Sequence, residues 1–312
     1  MIDLKKEIEK IKRIEKSGHH LRMSQYYGMD NIFKAYTDLP SILPVHYTLF
    51  LEHGITIMPD YINDKIKNSR SEIIFVNTSH RKKYLSSIKN KSVEILGPLA
   101  IHYRRMNGVV KSQNVEGTLI FPSHSTHYVD SVFNWEVYAD SLLKLPDEFK
   151  PLTICLYWKD FVLGRENIFI DRGFEVTTNG HIYDSQHIHN TYENLKSFKY
   201  VSGNSITSAF FYAMELGIPA FRYGESVTLD SERKEMLIVK SENDNAYINK
   251  AYRILDMDPH KQKIKFNDNV KGLLDFYIDE PNWVTKDYAR KITKEKFIFD
   301  LSKKAFNYLM PS

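Results

Sequence analysis

Residues 199–224 confine this chain to an α/β architecture. Lys199 to Val201 reads as the end of a short buried strand, and Ser202, Gly203, Asn204 and Ser205 form a polar turn. Ile206 to Leu216 then reads as a helix stopped by Gly217, and Ile218 to Phe221 opens the next strand. Strand, polar turn, helix and strand in that order make one half of a doubly wound domain. The helix start lies beside a sheet edge, where its first amide hydrogens have no partner within the helix and its dipole favours negative charge. Hydroxyls at Ser202, Ser205, Thr207 and Ser208 add donors around such an anion.

The same alternation runs through the rest of the chain. Strands are expected at Ile55 to Met58, Glu72 to Val76, Ser92 to Leu96 and Gly117 to Phe121, with helices over Arg81 to Lys89 and Asp130 to Leu143. Leu145 to Pro151 is polar with prolines near both ends, which marks a domain boundary. A second series follows: a strand at Leu152 to Trp158, a helix at Glu166 to Arg172, a strand at Glu175 to Thr178 and a helix at Asn190 to Phe198. Met236 to Val239 reads as a strand, and Ala246 to Leu255 and Asn267 to Tyr277 as helices. The expected organisation is a Rossmann-like unit over 1–147, a second over 148–283, and helices over 284–312 that pack back on the first. Polar turns fall at strand carboxyl ends in both units, so ligands are expected in a cleft between them.

Composition excludes several classes. With 42% hydrophobic and 26% charged residues the chain is an ordinary globular protein. No stretch approaches the roughly 18–20 apolar residues of a membrane span. Cys155 is the single cysteine, so no internal disulfide is available and a reducing cytoplasm fits. The first sixteen residues alternate charge with isoleucine and leucine, an amphipathic helix rather than a signal peptide. The net charge of +4 supports at most a weak attraction to an anionic membrane face or an acidic substrate. No recognition helix or aromatic-basic platform points to nucleic acid. No Gly-x-Gly-x-x-Gly follows a strand, which argues against a dinucleotide oxidoreductase. Oligomeric state is open.

Ser202-Gly-Asn-Ser-Ile-Thr-Ser followed by Phe211-Tyr-Ala-Met-Glu-Leu-Gly-Ile-Pro resembles the C-terminal domain of GT-B glycosyltransferases of bacterial surface polysaccharide assembly. Pro122-Ser-His-Ser-Thr-His, Tyr157-Trp-Lys-Asp, Gly173 to Asp184 and Glu52-His-Gly are similar to further motifs of such enzymes. The resemblance covers most of residues 45–225. It implies two Rossmann-like domains facing a central cleft, a nucleotide-sugar donor on the second and a glycan or lipid-linked acceptor on the first. The enzyme would work in the cytoplasm or at the cytoplasmic face of the inner membrane.

The donor phosphates would then meet Ser202, Gly203, Asn204, Ser205 and Thr207, although a plain helix cap needs only one of them. Lys159 and Asp160 sit at a strand end, and Gly180 and His181 with Asp184 are placed for the base or ribose. Histidines 181, 187 and 189 match no strong zinc spacing. Without an Asp-x-Asp strand end or the Glu-x7-Glu motif of retaining enzymes (Glu7 and Glu15 share that spacing only within the amphipathic first helix), no metal and no other cofactor is expected, and side chains with the helix dipole would stabilise the leaving phosphate. Transfer by inversion needs a base from the first unit. Candidates are His53, His124, Glu52, Asp130 and His127, with histidine favoured by its titration range. A nucleotide-sugar epimerase or hydrolase on the same fold, or a non-catalytic binding protein, are the competing readings.

Overall fold

The computed structural model describes residues 3–18, 20–60, 62, 64–126, 129–230 and 246–309. Helix α1 (Leu4–Lys16) is capped by Asp3, whose carboxylate accepts from the Lys6 amide at 3.3 Å. Its apolar stripe is not spent on the segment that follows. Ile11 is fully buried among residues of the larger sheet, and Lys10 pairs with Asp184.

The smaller unit holds α2 (Met29–Tyr36), β1 (Leu49–Leu51), α3 (Asp64–Lys67), β2 (Ile73–Val76), α4 (Ser79–Leu85), β3 (Ser92–Ile95) and α5 (Leu99–Met106). Its three strands are parallel in the order β1-β2-β3. The runs Leu-Phe-Leu and Ile-Ile-Phe-Val are buried throughout, as parallel strands covered on both faces must be.

The larger unit opens with β4 (Glu116–Ile120), β5 (Asp130–Val132), α6 (Trp135–Leu143), β6 (Leu152–Leu156), α7 (Trp158–Val162) and α8 (Glu166–Ile170). It continues with β7 (Glu175–Thr178), α9 (His187–Leu195), β8 (Phe198–Gly203), α10 (Ser208–Glu215), β9 (Ala220–Arg222) and β10 (Thr228–Asp230), then α11 (Ala246–Leu255) and α12 (Asp268–Ile278). Five parallel strands lie in the order β7-β6-β4-β8-β9. The chain enters at the centre, winds outward through β6 and β7, then crosses back to β8 and β9. Strand order reverses between β4 and β8, the point where an open α/β sheet offers a crevice at its carboxyl edge. The expected α/β class with two parallel sheets is thus what the chain forms. Helix α13 (Lys286–Leu309) returns to the smaller unit, with the Val284 amide on the Ile95 carbonyl at 2.7 Å and Lys296 on Glu72 at 2.8 Å.

Several sequence expectations change. The strand expected at Gly117 to Phe121 as the third of the first unit is the centre of the larger sheet, where Thr118 pairs with both Leu152 and Tyr200. The change of sheet therefore falls between Ile95 and Glu116 rather than at 147–148. Leu145 and Phe149, in the presumed linker, are buried, and the Phe149 carbonyl accepts from the Thr118 hydroxyl at 2.7 Å. Ile55 to Met58 forms no strand; β1 lies earlier, and the Ile55 amide is committed to the Ser208 hydroxyl at 2.8 Å. Asp130 starts no helix, because Asp130–Val132 pairs antiparallel with β10. The strand expected at 236–239 and the candidate base His127 lie outside the described residues. Among the described residues, no helix is long and apolar enough to cross a membrane.

Candidate functional site

A cavity of about 300 Å³ lies where the carboxyl ends of both sheets meet. The larger unit brings His124 after β4, Tyr157 after β6, Gly180 after β7 and the first turn of α10. The smaller unit brings His53 and Gly54 after β1, and Tyr27 enters from residues 23–28. Tyr27 adopts φ of 60°, a left-handed conformation uncommon for a side chain of this size, and its amide is held by the Ile182 carbonyl at 2.7 Å. That places its hydroxyl 2.9 Å from the Tyr157 hydroxyl and its ring 4.4 Å from the His187 ring.

The start of α10 is the site's electrostatic feature. Thr207 is the N-cap, extended at φ −125° and ψ 171°, and no side chain caps the helix. Thr207, Ser208 and Ala209 face the cavity, and Ser208 also reaches the opposite unit through the Ile55 amide. Gly54 permits that approach: a Cβ there would lie 2.8 Å from the Ser208 hydroxyl, and its φ is +69°. The lining holds no aspartate, glutamate, lysine or arginine among the described residues. Attraction for an anion therefore comes from the helix terminus and from neutral donors.

Burial sets the titration of the lining. It pushes His124 down to about 4 and His187 down to about 4, and it pushes the Cys155 thiol and the Tyr157 phenol up. Both histidines are neutral at physiological pH. His187 is further fixed by a 3.2 Å contact between Nδ1 and the Gly180 carbonyl, and His124 stacks on Tyr157 with ring centroids 4.0 Å apart. His53 packs its ring against Tyr26 at 5.3 Å and Tyr27 at 5.6 Å.

The structure separates the sequence candidates. His53, His124 and Gly180 line the cavity, as does Thr207. Glu52 does not: its carboxylate is buried, paired with Arg81 at 2.6 Å, and accepts from the Thr56 hydroxyl at 2.9 Å and the Asn77 amide at 3.1 Å. Asp130 is exposed and paired with Lys159 at 2.9 Å, while Lys159 also donates to the Thr126 carbonyl at 2.6 Å. This pair ties the loop after β4 to α7. Asp160 is fully buried on Arg165 at 2.8 Å and caps α7 by accepting from the Tyr157 amide at 3.2 Å. His181 is fully buried beneath α1, with Nε2 3.2 Å from Glu15 and Nδ1 accepting from the Tyr183 amide at 3.1 Å.

The polar turn after β8 is likewise internal. The Ser202 hydroxyl donates to the Phe221 carbonyl at 2.8 Å, and Asn204 accepts from the Ser123 amide at 2.7 Å. Gly203 lies against β4, where a Cβ would meet the Phe121 carbonyl oxygen at 2.2 Å. Ser205 is half-buried and outside the cavity lining. These residues lock the crevice between β4 and β8, and Thr207 to Ala209 present the helix terminus instead. Arg104 and Arg105 are also spoken for, by Glu215 and by Glu280. Among the described residues, no group of three or more His, Cys, Asp or Glu is placed to hold a metal ion.

Sequence reasoning missed Tyr27, Tyr157, Tyr212 and His187, since a buried aromatic and a pocket wall carry the same pattern. The Tyr26-Tyr27-Gly28 run in an irregular segment was the available signal.

Protonation links the site to stability. His102, which contacts the Leu96 carbonyl at 2.8 Å, is pushed down to about 4 by burial, like His124 and His187. Between about pH 6.5 and 4 the unfolded chain binds protons that these folded imidazoles do not, so stability falls as pH falls. Asp160, pushed up to about 6 by burial, acts in the opposite direction, because the folded carboxylate takes a proton first. Burial also pushes His46 down and Glu215 up, so four imidazoles oppose two carboxyls and the urea midpoint is expected to drop from pH 6.5 to 4. A flat or rising midpoint over that window would contradict these environments.

No family model and no curated protein sequence matches the chain. Among solved structures it is similar to MnaA of S. aureus in complex with UDP, at 15% identity and a TM-score of 0.41, covering 96% of this chain and 79% of that one. It is similar to the wall teichoic acid polymerase TagF at 9% identity and a TM-score of 0.44, covering 82% and 69%. A UDP-GlcNAc 2-epimerase from Neisseria meningitidis bound to UDP-GlcNAc is similar at 14% identity and a TM-score of 0.37, covering 86% and 80%. Strand order and register, not these superpositions, define the architecture described above.

Proposed function

We propose that the chain is a nucleotide-sugar-dependent glycosyltransferase of surface polysaccharide synthesis that holds the donor's phosphates at the start of α10. The observation that carries this reading is the uncapped helix terminus at Thr207 to Ala209, opening into a cavity at the strand ends of both units and facing His53. The acceptor hydroxyl oxygen bonds to the anomeric carbon as the bond from that carbon to the phosphate oxygen breaks. The electron pair leaves on the phosphate, where the α10 amides stabilise it, and the hydroxyl proton passes to an imidazole.

That imidazole is His53. No carboxylate lines the cavity among the described residues, and burial leaves His124 and His187 weakly basic. As a neutral ring His124 serves better as a hydrogen-bond donor to the phosphates, whereas the single N–H of His187 is spent on the Gly180 carbonyl. Proton transfer by a placed histidine contributes about 10²-fold or more, so His53→Ala is expected to lower turnover by that factor while donor affinity changes little. The assay follows nucleotide release from UDP-, CMP- and GDP-sugars, with and without glycan acceptors. Release that needs an acceptor and collapses in His53→Ala supports a transferase. Release with no acceptor points to a hydrolase, and isomerised donor to an epimerase. Binding with neither leaves a non-catalytic nucleotide-binding protein.

A further inference from the structure

A second cavity of about 380 Å³ borders the first, and its chemistry is opposite in kind. It is lined by Arg22, Arg70, His46 and Ser69, with Tyr26 and Tyr183 as its aromatic wall. Neither arginine has a carboxylate partner among the described residues. Arg22 lies with its guanidinium carbon 4.4 Å from the Tyr47 ring centroid, a cation–π contact. Behind Ser69 and Ser71 sits Lys91, whose ammonium donates to both their carbonyls, to that of Ser71 at 2.6 Å, and adds a third positive charge.

Two described acids near this lining are already paired. Asp30 is shared by Lys34 at 3.9 Å and His46 at 3.5 Å, and Glu72 is paired with Lys296 at 2.8 Å. Arg22 and Arg70 are both solvent-exposed on the lining and, with no carboxylate partner among the described residues, fit a phosphate or carboxylate, which each can bind through two parallel N–H donors. The aromatic wall suits a sugar ring beside the charge. Tyr26 forms the partition: it lines this cavity, and its ring lies 5.3 Å from that of His53, which lines the other.

We propose that this cavity binds the acceptor and that the acceptor is an anionic saccharide, carrying its phosphate or carboxylate on Arg22 and Arg70 and extending past Tyr26 toward His53. The assignment rests on the transferase reading for the word acceptor; the anion site itself does not.

The test is a calorimetric titration with glucose 1-phosphate, glucuronate, inorganic phosphate and neutral glucose. The proteins compared are the wild type, Arg22→Gln with Arg70→Gln, and Arg22→Lys with Arg70→Lys. At least one anionic sugar should bind about tenfold or more tightly than glucose and than inorganic phosphate. The double glutamine variant should lose that binding with an unchanged melting midpoint, and the double lysine variant should retain part of it. Which of the two anionic sugars binds identifies the charged group. Glucose or inorganic phosphate binding equally well, retention in the glutamine variant, or no anionic sugar binding at all would overturn the site. UDP and CMP titrations keep the two readings apart. Arginine-dependent sugar binding in a wild type that binds no nucleotide removes the donor reading and leaves the anion site standing. Nucleotide binding without any effect of the glutamine pair removes the anion site and leaves the donor reading.

Discussion

Glu52→Ala is expected to lower the unfolding free energy by roughly 3–5 kcal/mol, the cost of stranding one half of a buried ion pair. Arg81 is 3% exposed and Glu52 7%. Arg81 spends its Nε on Glu52 at 2.6 Å and one terminal nitrogen on the Pro59 carbonyl at 2.9 Å. Removing Glu52 takes the carboxylate from the buried Arg81 Nε, and it also frees the Thr56 hydroxyl and the Asn77 amide. Against a typical total of about 5–15 kcal/mol, the loss takes a large part of the stability. Urea denaturation should show a much lower midpoint with an unchanged slope. Replacing both partners with apolar residues, Glu52→Leu with Arg81→Met, should restore part of the loss, since burying neither charge avoids the desolvation cost. A catalytic Glu52 would instead lose turnover at constant stability.

The second large effect separates helix stability from ligand binding at one position. Ala209 lies in the first turn of α10 and faces the cavity. An aspartate there complements the helix dipole and should hold or raise stability by about 0.3–1 kcal/mol. The same carboxylate occupies the place where the donor phosphates would sit. Juxtaposed like charges in a site with no lysine or arginine among its described lining residues cost several kcal/mol, so nucleotide affinity should fall by about 10³-fold. Most substitutions that weaken binding also weaken the fold; Ala209→Asp is expected to do only the first.

The alternation of strands and helices was plain in the sequence because largely apolar runs such as Ile73–Val76 and Leu152–Leu156 are bounded by polar turns. Which sheet a strand joins was not, since pairing is decided by partners far along the chain. The strand Glu116–Ile120 has the composition of any buried strand, and only contact with Leu152 and Tyr200 makes it the centre of the larger sheet. The site followed the same divide. Strand-end turns pointed to His53, His124 and Gly180, and all three line the cavity. They also pointed to Ser202, Asp160 and His181, which bond to neighbouring loops and to α1, and to Asn204, whose Oδ1 is held by the Ser123 amide. Spacing cannot tell a side chain that meets a ligand from one that ties two loops together. Likewise, Arg22 and Arg70 are 48 positions apart and carry no shared motif.

Calorimetric titration of UDP, CMP and GDP into the wild type and into Ala209→Asp decides whether α10 holds the donor. At least one nucleotide should bind the wild type and lose about three orders of magnitude in affinity in a variant that melts no lower. A wild type that binds none of them, or a variant that binds as tightly as the wild type, would contradict a phosphate site at Thr207 to Ala209.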